Sequence, residues 1–274
     1  MSSSPNPTSA PSLPGLAAPH PGGSRPAAPP TDENPPWNGW DVVALGVLTF
    51  VAMLVCVVAA AYAMRLYLAP HDSWRTLATR PEVTVGGELL AYVLVLALMY
   101  KMVGNRSAIP FLEAIRWNWP PNWTAYVLAG LALELCLLPF ALLLPMPKNL
   151  PIDEFFKTAR DAYILSVFGI LFAPFFEELF FRGFLYPVLA RRAGVPASIL
   201  LTALPFAMIH GAQLNFSWGP VLVIFLVGVV LTTVRALRKS VAATVLMHMA
   251  YNCTIFIAEY IATDGFRHME KLNQ

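Results

Sequence analysis

The sequence predicts an all-α polytopic membrane protein, with about seven transmembrane helices enclosing a polar cavity. Three observations lead there. Of 274 residues, 57% are hydrophobic and only 12% charged, against about half and about a quarter in a soluble domain. Several stretches supply the roughly 20 mainly apolar residues that one bilayer crossing needs. The few ionisable and amide side chains within those stretches fall mostly into three short patterns in the second half: EELFFR, FAMIH and HMAYN. The net charge of +2, with no basic cluster or stacking motif, excludes nucleic acid as a partner. Cys56, Cys136 and Cys253 each stand alone in an apolar segment, so neither a disulfide nor a thiolate metal site is expected.

Residues 1–36, as in PNPTSAPSLPGLAAPHPGG, are too poor in core-forming side chains to offset their ordering entropy. They read as a disordered Pro-rich tail without a cleavable signal peptide, His20 within it being solvated. Residues 37–160 read as the N-terminal transmembrane helices. The first span is 42–64, anchored by Trp37 and Trp40. A polar stretch from Arg65 to Glu88 precedes a short second span, 89–104. Trp117, Trp119 and Trp123 form an aromatic belt before the third span, 124–146, which contains Glu134 and Pro139. A surface segment with a short amphipathic helix at 152–160 follows. Residues 161–262 hold the remaining spans, starting near Ala162 and then over 197–210, 219–237 and 241–262; a short C-terminal tail, 263–274, completes the chain. Arg and Lys do not separate the two sides by number. Locally, ARRAG (190–194) and RALRK (235–239) flank the base-free stretch 211–220, which favours an inside N-terminus.

An ionised group near the middle of a span costs about 2.5–3.5 kcal/mol on insertion scales, so such groups face a bundle interior or a wet cavity. In EELFFR, Glu178 and Arg182 lie four apart on one helix face and can pair. Glu177 is turned about 100° away and lacks that partner. The bland reading is a helix end with all three charges solvated. In FAMIH, Pro205 can kink the helix and Gly211 can end it after His210; an interfacial histidine is the plain alternative. In HMAYN, His248 and Asn252 share a face, with Thr244 one turn earlier. A structural interhelical hydrogen bond would also account for that pair.

Taken together, the groups suggest chemistry. Glu177 beside His210 can deprotonate a water, while His248 and Asn252 can donate to the oxyanion formed when that water attacks a carbonyl. The reaction class is hydrolysis of a peptide bond within or beside the membrane. Glu177, His210 and His248 are also a catalytic zinc set by composition, although no HExxH spacing is present. Both mechanisms stay open, with no cofactor favoured and zinc admitted.

Glu177-Glu178-Leu-Phe-Phe-Arg182, Phe206-Ala-Met-Ile-His210 and His248-Met-Ala-Tyr-Asn252, in this order over roughly 165–260 and with Gly183 after the arginine, resemble the CAAX-processing and bacteriocin-processing (CPBP) intramembrane proteases. That family includes the Ras-converting CAAX prenyl endopeptidase. The resemblance implies a CPBP-type catalytic helical core and an intramembrane endopeptidase. In it Glu177 activates water with His210, His248 and Asn252 stabilise the oxyanion, and Glu178 and Arg182 are structural or orienting. The family is often labelled metalloprotease, while its helical cavity also suits a glutamate-dependent mechanism without metal. Expected partners are the lipid bilayer and a peptide or membrane-associated protein, lipidated or not; the expected location is a bacterial cytoplasmic membrane. Two other classes compete: a non-catalytic membrane scaffold or bacteriocin self-immunity protein of the same fold, and a proton-relaying transporter. The absence of an internal repeat argues against the transporter.

Overall fold

The computed structural model describes residues 1, 33–145, 147 and 150–269. Most of the expected N-terminal tail (2–32, with His20) and the end of the C-terminal tail (270–274) lie outside the described residues. Every regular element among the described residues is helical. Helix α1 (Gly39–Tyr67) opens on a reciprocal cap: Asn38 Oδ1 accepts from Trp40 N–H at 2.8 Å, and Asn38 N–H donates to Asp41 at 2.7 Å. The short α2 (Trp74–Ala78) leads to α3 (Pro81–Arg106), which starts on a proline whose missing N–H costs nothing at a helix N-terminus. Next come α4 (Phe111–Ala114), α5 (Trp123–Leu142) and a 3₁₀ turn, Pro151–Phe155.

One long helical rod then runs over Ala159–Ile209. It contains α6 (Ala159–Val167), a π-helical turn (Phe168–Phe172), α7 (Ala173–Glu178), a second π turn (Leu179–Leu185) and α8 (Tyr186–Ile209). Gly194, at φ 77° and ψ 166°, bends the rod sharply in a conformation that other residues rarely adopt. Helices α9 (Trp218–Arg238) and α10 (Val241–Ala262) complete the bundle. Among the described residues six helices are long and apolar enough to cross a membrane. Divided at Gly194, the rod supplies two crossings, in keeping with the expected seven.

Helix α1 packs along α3, α5 along α10 and α8 along α9. Outward-facing Val47, Leu54 and Val55 on α1 and Leu128 and Leu135 on α5 remain exposed, as a lipid-facing surface requires. The connections sort onto two ends. At one, Asp41 pairs with Arg106, Asn118 Nδ2 donates to Lys239 O at 2.7 Å, and Val241 N–H donates to Arg116 O. At the other, Lys157 donates to Thr79, Arg75 lies 3.9 Å from Glu154, and Ile152 N–H donates to Gln213 O.

Three expectations need correction. The second span begins at Pro81, eight residues before the expected Leu89, so Glu88 lies inside a helix. Gly87 is where α3 crosses α1, and a Cβ there would lie 2.6 Å from Val57 Cα. The helix expected at 152–160 is a 3₁₀ turn followed by the start of α6. Residues 33–36, assigned to the tail, are tied into the bundle, with Glu33 only 6% exposed.

The two adjacent glycines should therefore respond in opposite ways. Gly87→Ala is expected to destabilise the protein by about 1–3 kcal/mol through overpacking. Gly86→Ala, with nothing within 4 Å of its Cβ, should be neutral or stabilising by up to about 1 kcal/mol. Thermal unfolding of both variants in the same detergent checks this.

Candidate active site

The acidic pair ends α7 and is framed by the two π turns, a local widening that often accompanies functional sites. Both turns are followed by proline, with the same consequence each time. In the first, Ala173 N–H reaches back to Phe168 O, and the next donor in register would be residue 174. That residue is proline, so Gly169 O has no backbone partner in that register. In the second, Tyr186 N–H takes Phe181 O, and Pro187 then leaves Arg182 O in the same position. An unpaired carbonyl in the hydrocarbon region costs several kcal/mol. Each is answered from another helix: Asn252 Nδ2 on α10 donates to Gly169 O at 2.7 Å, and Arg235 Nε on α9 donates to Arg182 O at 3.1 Å.

Between these anchors the ionic groups assemble as helix spacing suggested. Glu178 and Arg182 are fully buried, with Arg182 Nη1 2.7 Å from Glu178 Oε1. The remaining guanidinium donors go to Gly228 O at 3.0 Å and Thr232 Oγ1 at 3.2 Å on α9. His248 Nδ1 meets Glu178 Oε1 at 2.9 Å. Thr244 lies beside Glu178, but its hydroxyl donates to Val241 O, and Glu178 Oε2 has no hydrogen-bond partner among the described residues.

Glu177 points the other way, into a partly open space. Its Oε1 lies 3.8 Å from His210 Nε2, and its Oε2 lies 3.8 Å from His248 Nε2. His210 caps the C-terminus of α8, and its Nδ1 sits 2.9 Å from Phe206 O. A carbonyl only accepts, so Nδ1 carries the proton, and in the neutral ring Nε2 presents its lone pair toward Glu177. Phe206 backs the whole group. Its ring centroid is 5.4 Å from that of His210 and 5.7 Å from that of His248, and Arg182 stacks on it at 4.4 Å.

The structure thus brings Glu177, Glu178, Arg182, His210 and His248 into one cluster. It places Asn252, one turn beyond His248, on the carbonyl of Gly169. Three groups that were not singled out also belong to this region. Glu88 on α3 is close enough to Glu177 for their carboxylates to repel, and Tyr92, one turn on, faces both. Arg235, counted as a loop cation, is buried at 1% exposure. Its position four residues after Leu231 and seven after Gly228, on the packed face of α9, was the available signal. Glu134 on α5 lies beside Tyr251 on α10, two helices that pack along each other. As for zinc, no three His, Cys, Asp or Glu side chains among the described residues are arranged to hold a metal ion.

If Asn252 is needed chiefly for the Gly169 carbonyl, Asn252→Leu should cost about 1–3 kcal/mol of stability. Adding Pro174→Ala, which restores a backbone donor, should recover part of that loss. Unfolding of the two single variants and the double variant in detergent gives the coupling, and strict additivity would contradict the argument.

Comparison with known proteins adds one match. The family model described as Rce1-like, Type II CAAX prenyl endopeptidase Rce1-like, matches residues 159–254, that is the rod, α9 and the first 14 residues of α10. The searches of curated proteins and of solved structures gave no match. All three polar motifs lie inside the matched segment, so this part of the chain is similar to the Rce1-like endopeptidases.

Proposed function

We propose that the protein is an intramembrane endopeptidase in which Glu177 and His210 activate water and His248 and Asn252 stabilise the oxyanion. The observation that carries this reading is the Glu177 carboxylate, its two oxygens 3.8 Å from the Nε2 atoms of His210 and His248. That separation is too long for direct hydrogen bonds and suits a water touching both sides.

Glu177 takes a proton from this water as its oxygen attacks the peptide carbonyl, and later delivers that proton to the leaving amine. The His210 Nε2 lone pair accepts a hydrogen bond from the water and orients it. His248 faces the developing oxyanion with Nε2, and to donate there while Nδ1–H is held by Glu178 it must carry both protons. Asn252, fixed through one amide hydrogen to Gly169 O, has a second hydrogen to offer the oxyanion.

The substrate on this reading is a peptide or protein segment presented at the membrane. Cleavage after a lipidated cysteine is the form that the family description suggests. Glu178 and Arg182 hold the site without touching the substrate. A bacterial cytoplasmic membrane is the proposed location, with the basic end of the bundle inside. Residues 161–262 are the proposed catalytic core.

The test is cleavage of a diverse peptide library, with and without farnesylated cysteine, by detergent-purified wild type and Glu177→Gln. Loss of the general base should reduce kcat by about 10²–10⁴-fold with the melting temperature preserved, and a strong chelator should leave wild-type cleavage unchanged. Equal behaviour of two well-folded proteins would turn the reading toward a non-catalytic scaffold or immunity protein. Inhibition by the chelator would restore the zinc mechanism.

A further inference from the structure

We propose that Glu33 and Arg235 are positioning residues, through which the segment entering α1 holds the second π turn and, behind it, the Glu178–His248 pair. The catalytic half of this proposal rests on the protease reading; the structural half does not. Glu33 lies outside the family match, which begins at residue 159. Even so, its carboxylate is buried against α9, with Oε1 2.8 Å from Arg235 Nη1 and Oε2 3.2 Å from Arg235 Nη2. Arg116, between α4 and α5, adds a third contact at 3.3 Å.

The following residues continue the strap. Arg191 on α8 donates to Asn34 Oδ1, Pro35 O and Trp37 O. Trp37, 1% exposed, stacks on Phe184 at 4.4 Å and donates Nε1–H to Phe184 O at 3.0 Å. Residues 33–37 thus grip the second π turn at two carbonyls: Phe184 O directly, and Arg182 O through Arg235.

Arg235 is the joint. Both of its Nη atoms are committed to Glu33, so the planar guanidinium is held with Nε on Arg182 O. That carbonyl has no helical donor in register because residue 187 is proline. Without the contact, the turn carrying Arg182 would have to find another donor. The Arg182 side chain holds Glu178, which holds His248 Nδ1. Glu33 therefore reaches the proposed oxyanion donor through four consecutive bonded contacts, three of them between side chains. A bidentate buried carboxylate is a strong way to fix an arginine.

Arg235→Lys is the discriminating variant. Lysine retains a charge for Glu33, but its single nitrogen cannot serve that carboxylate and Arg182 O in the same geometry. Full-length wild type, Arg235→Lys, Glu33→Gln, Pro187→Ala/Arg235→Lys and Glu177→Gln are compared in detergent. The readouts are thermal midpoint, amide hydrogen exchange over 179–187, and kcat and KM on the best library peptide. Arg235→Lys should melt within about 3 °C of wild type yet exchange about tenfold faster over 179–187. Its kcat should fall about tenfold with KM within about twofold. Glu33→Gln should change exchange and kcat in the same direction. Pro187→Ala/Arg235→Lys, which gives Arg182 O a backbone donor, should recover both protection and kcat; this arm also decides the matter if the single variant folds poorly. Unchanged exchange in Arg235→Lys, or no recovery with Pro187→Ala, overturns the proposal. Faster exchange with unchanged kcat leaves the anchor and overturns its catalytic consequence. If Glu177→Gln cleaves as well as wild type, the protease reading fails, while the exchange data still decide the anchor.

Discussion

A backbone carbonyl inside a bilayer has no water to turn to, and the rod from Ala159 to Ile209 loses its own donors at two places. Each π turn shifts the hydrogen-bond register by one residue, and the proline after it removes the N–H that would have closed the new register. Asn252 and Arg235 supply the missing donors from α10 and α9. The local irregularity and the packing of the last two helices are thus parts of one requirement. The rod can keep its prolines only if α9 and α10 stand where their side chains reach it.

The acidic pair between the anchors is divided by this framework. Glu178 holds Arg182 and His248 on one of its oxygens and has no solvent exposure. Glu177 has, among the described residues, two imidazoles at 3.8 Å as its nearest polar side chains. Adjacent residues in one helix therefore carry opposite assignments, one closed and one open, because successive side chains diverge by about 100°. The buried ion pair adds little stability of its own against an apolar pair of similar size. Its value lies in fixing the orientation of His248.

Much of this was legible in the sequence because it depends on periodicity. Apolar runs place the spans, i to i+4 spacing pairs Glu178 with Arg182, and the same spacing brings Phe206 behind His210. Other parts depend on which helices meet, and periodicity carries no such information. The stretch up to Glu88 read as polar and outside the span, whereas Gly87 is the point where α3 crosses α1 and Glu88 lies near Glu177. Glu33 looked like one more polar residue of a Pro-rich stretch because its partners, Arg116 and Arg235, lie 83 and 202 residues further on. Asn252 was visible as a polar residue out of place. Its carbonyl partner could be inferred only once the π turn had shown which position Pro174 leaves open.

The bend at Gly194 has a consequence for depth. From Val195 to Ile209 the helix rises about 22 Å, less than the roughly 30 Å of a bilayer's hydrocarbon core. If the shortfall lies at the His210 end, that crossing stops below the membrane surface and the segment after it dips to meet it. Water reaching Glu177 would then occupy a well several ångströms below the membrane surface. If the protein is the endopeptidase proposed above, such a well would work as a ruler: a peptide bond would be susceptible only if it could be drawn to that depth in an unwound state. Distance from an anchor in the membrane, more than the identity of neighbouring side chains, would then select what is cut.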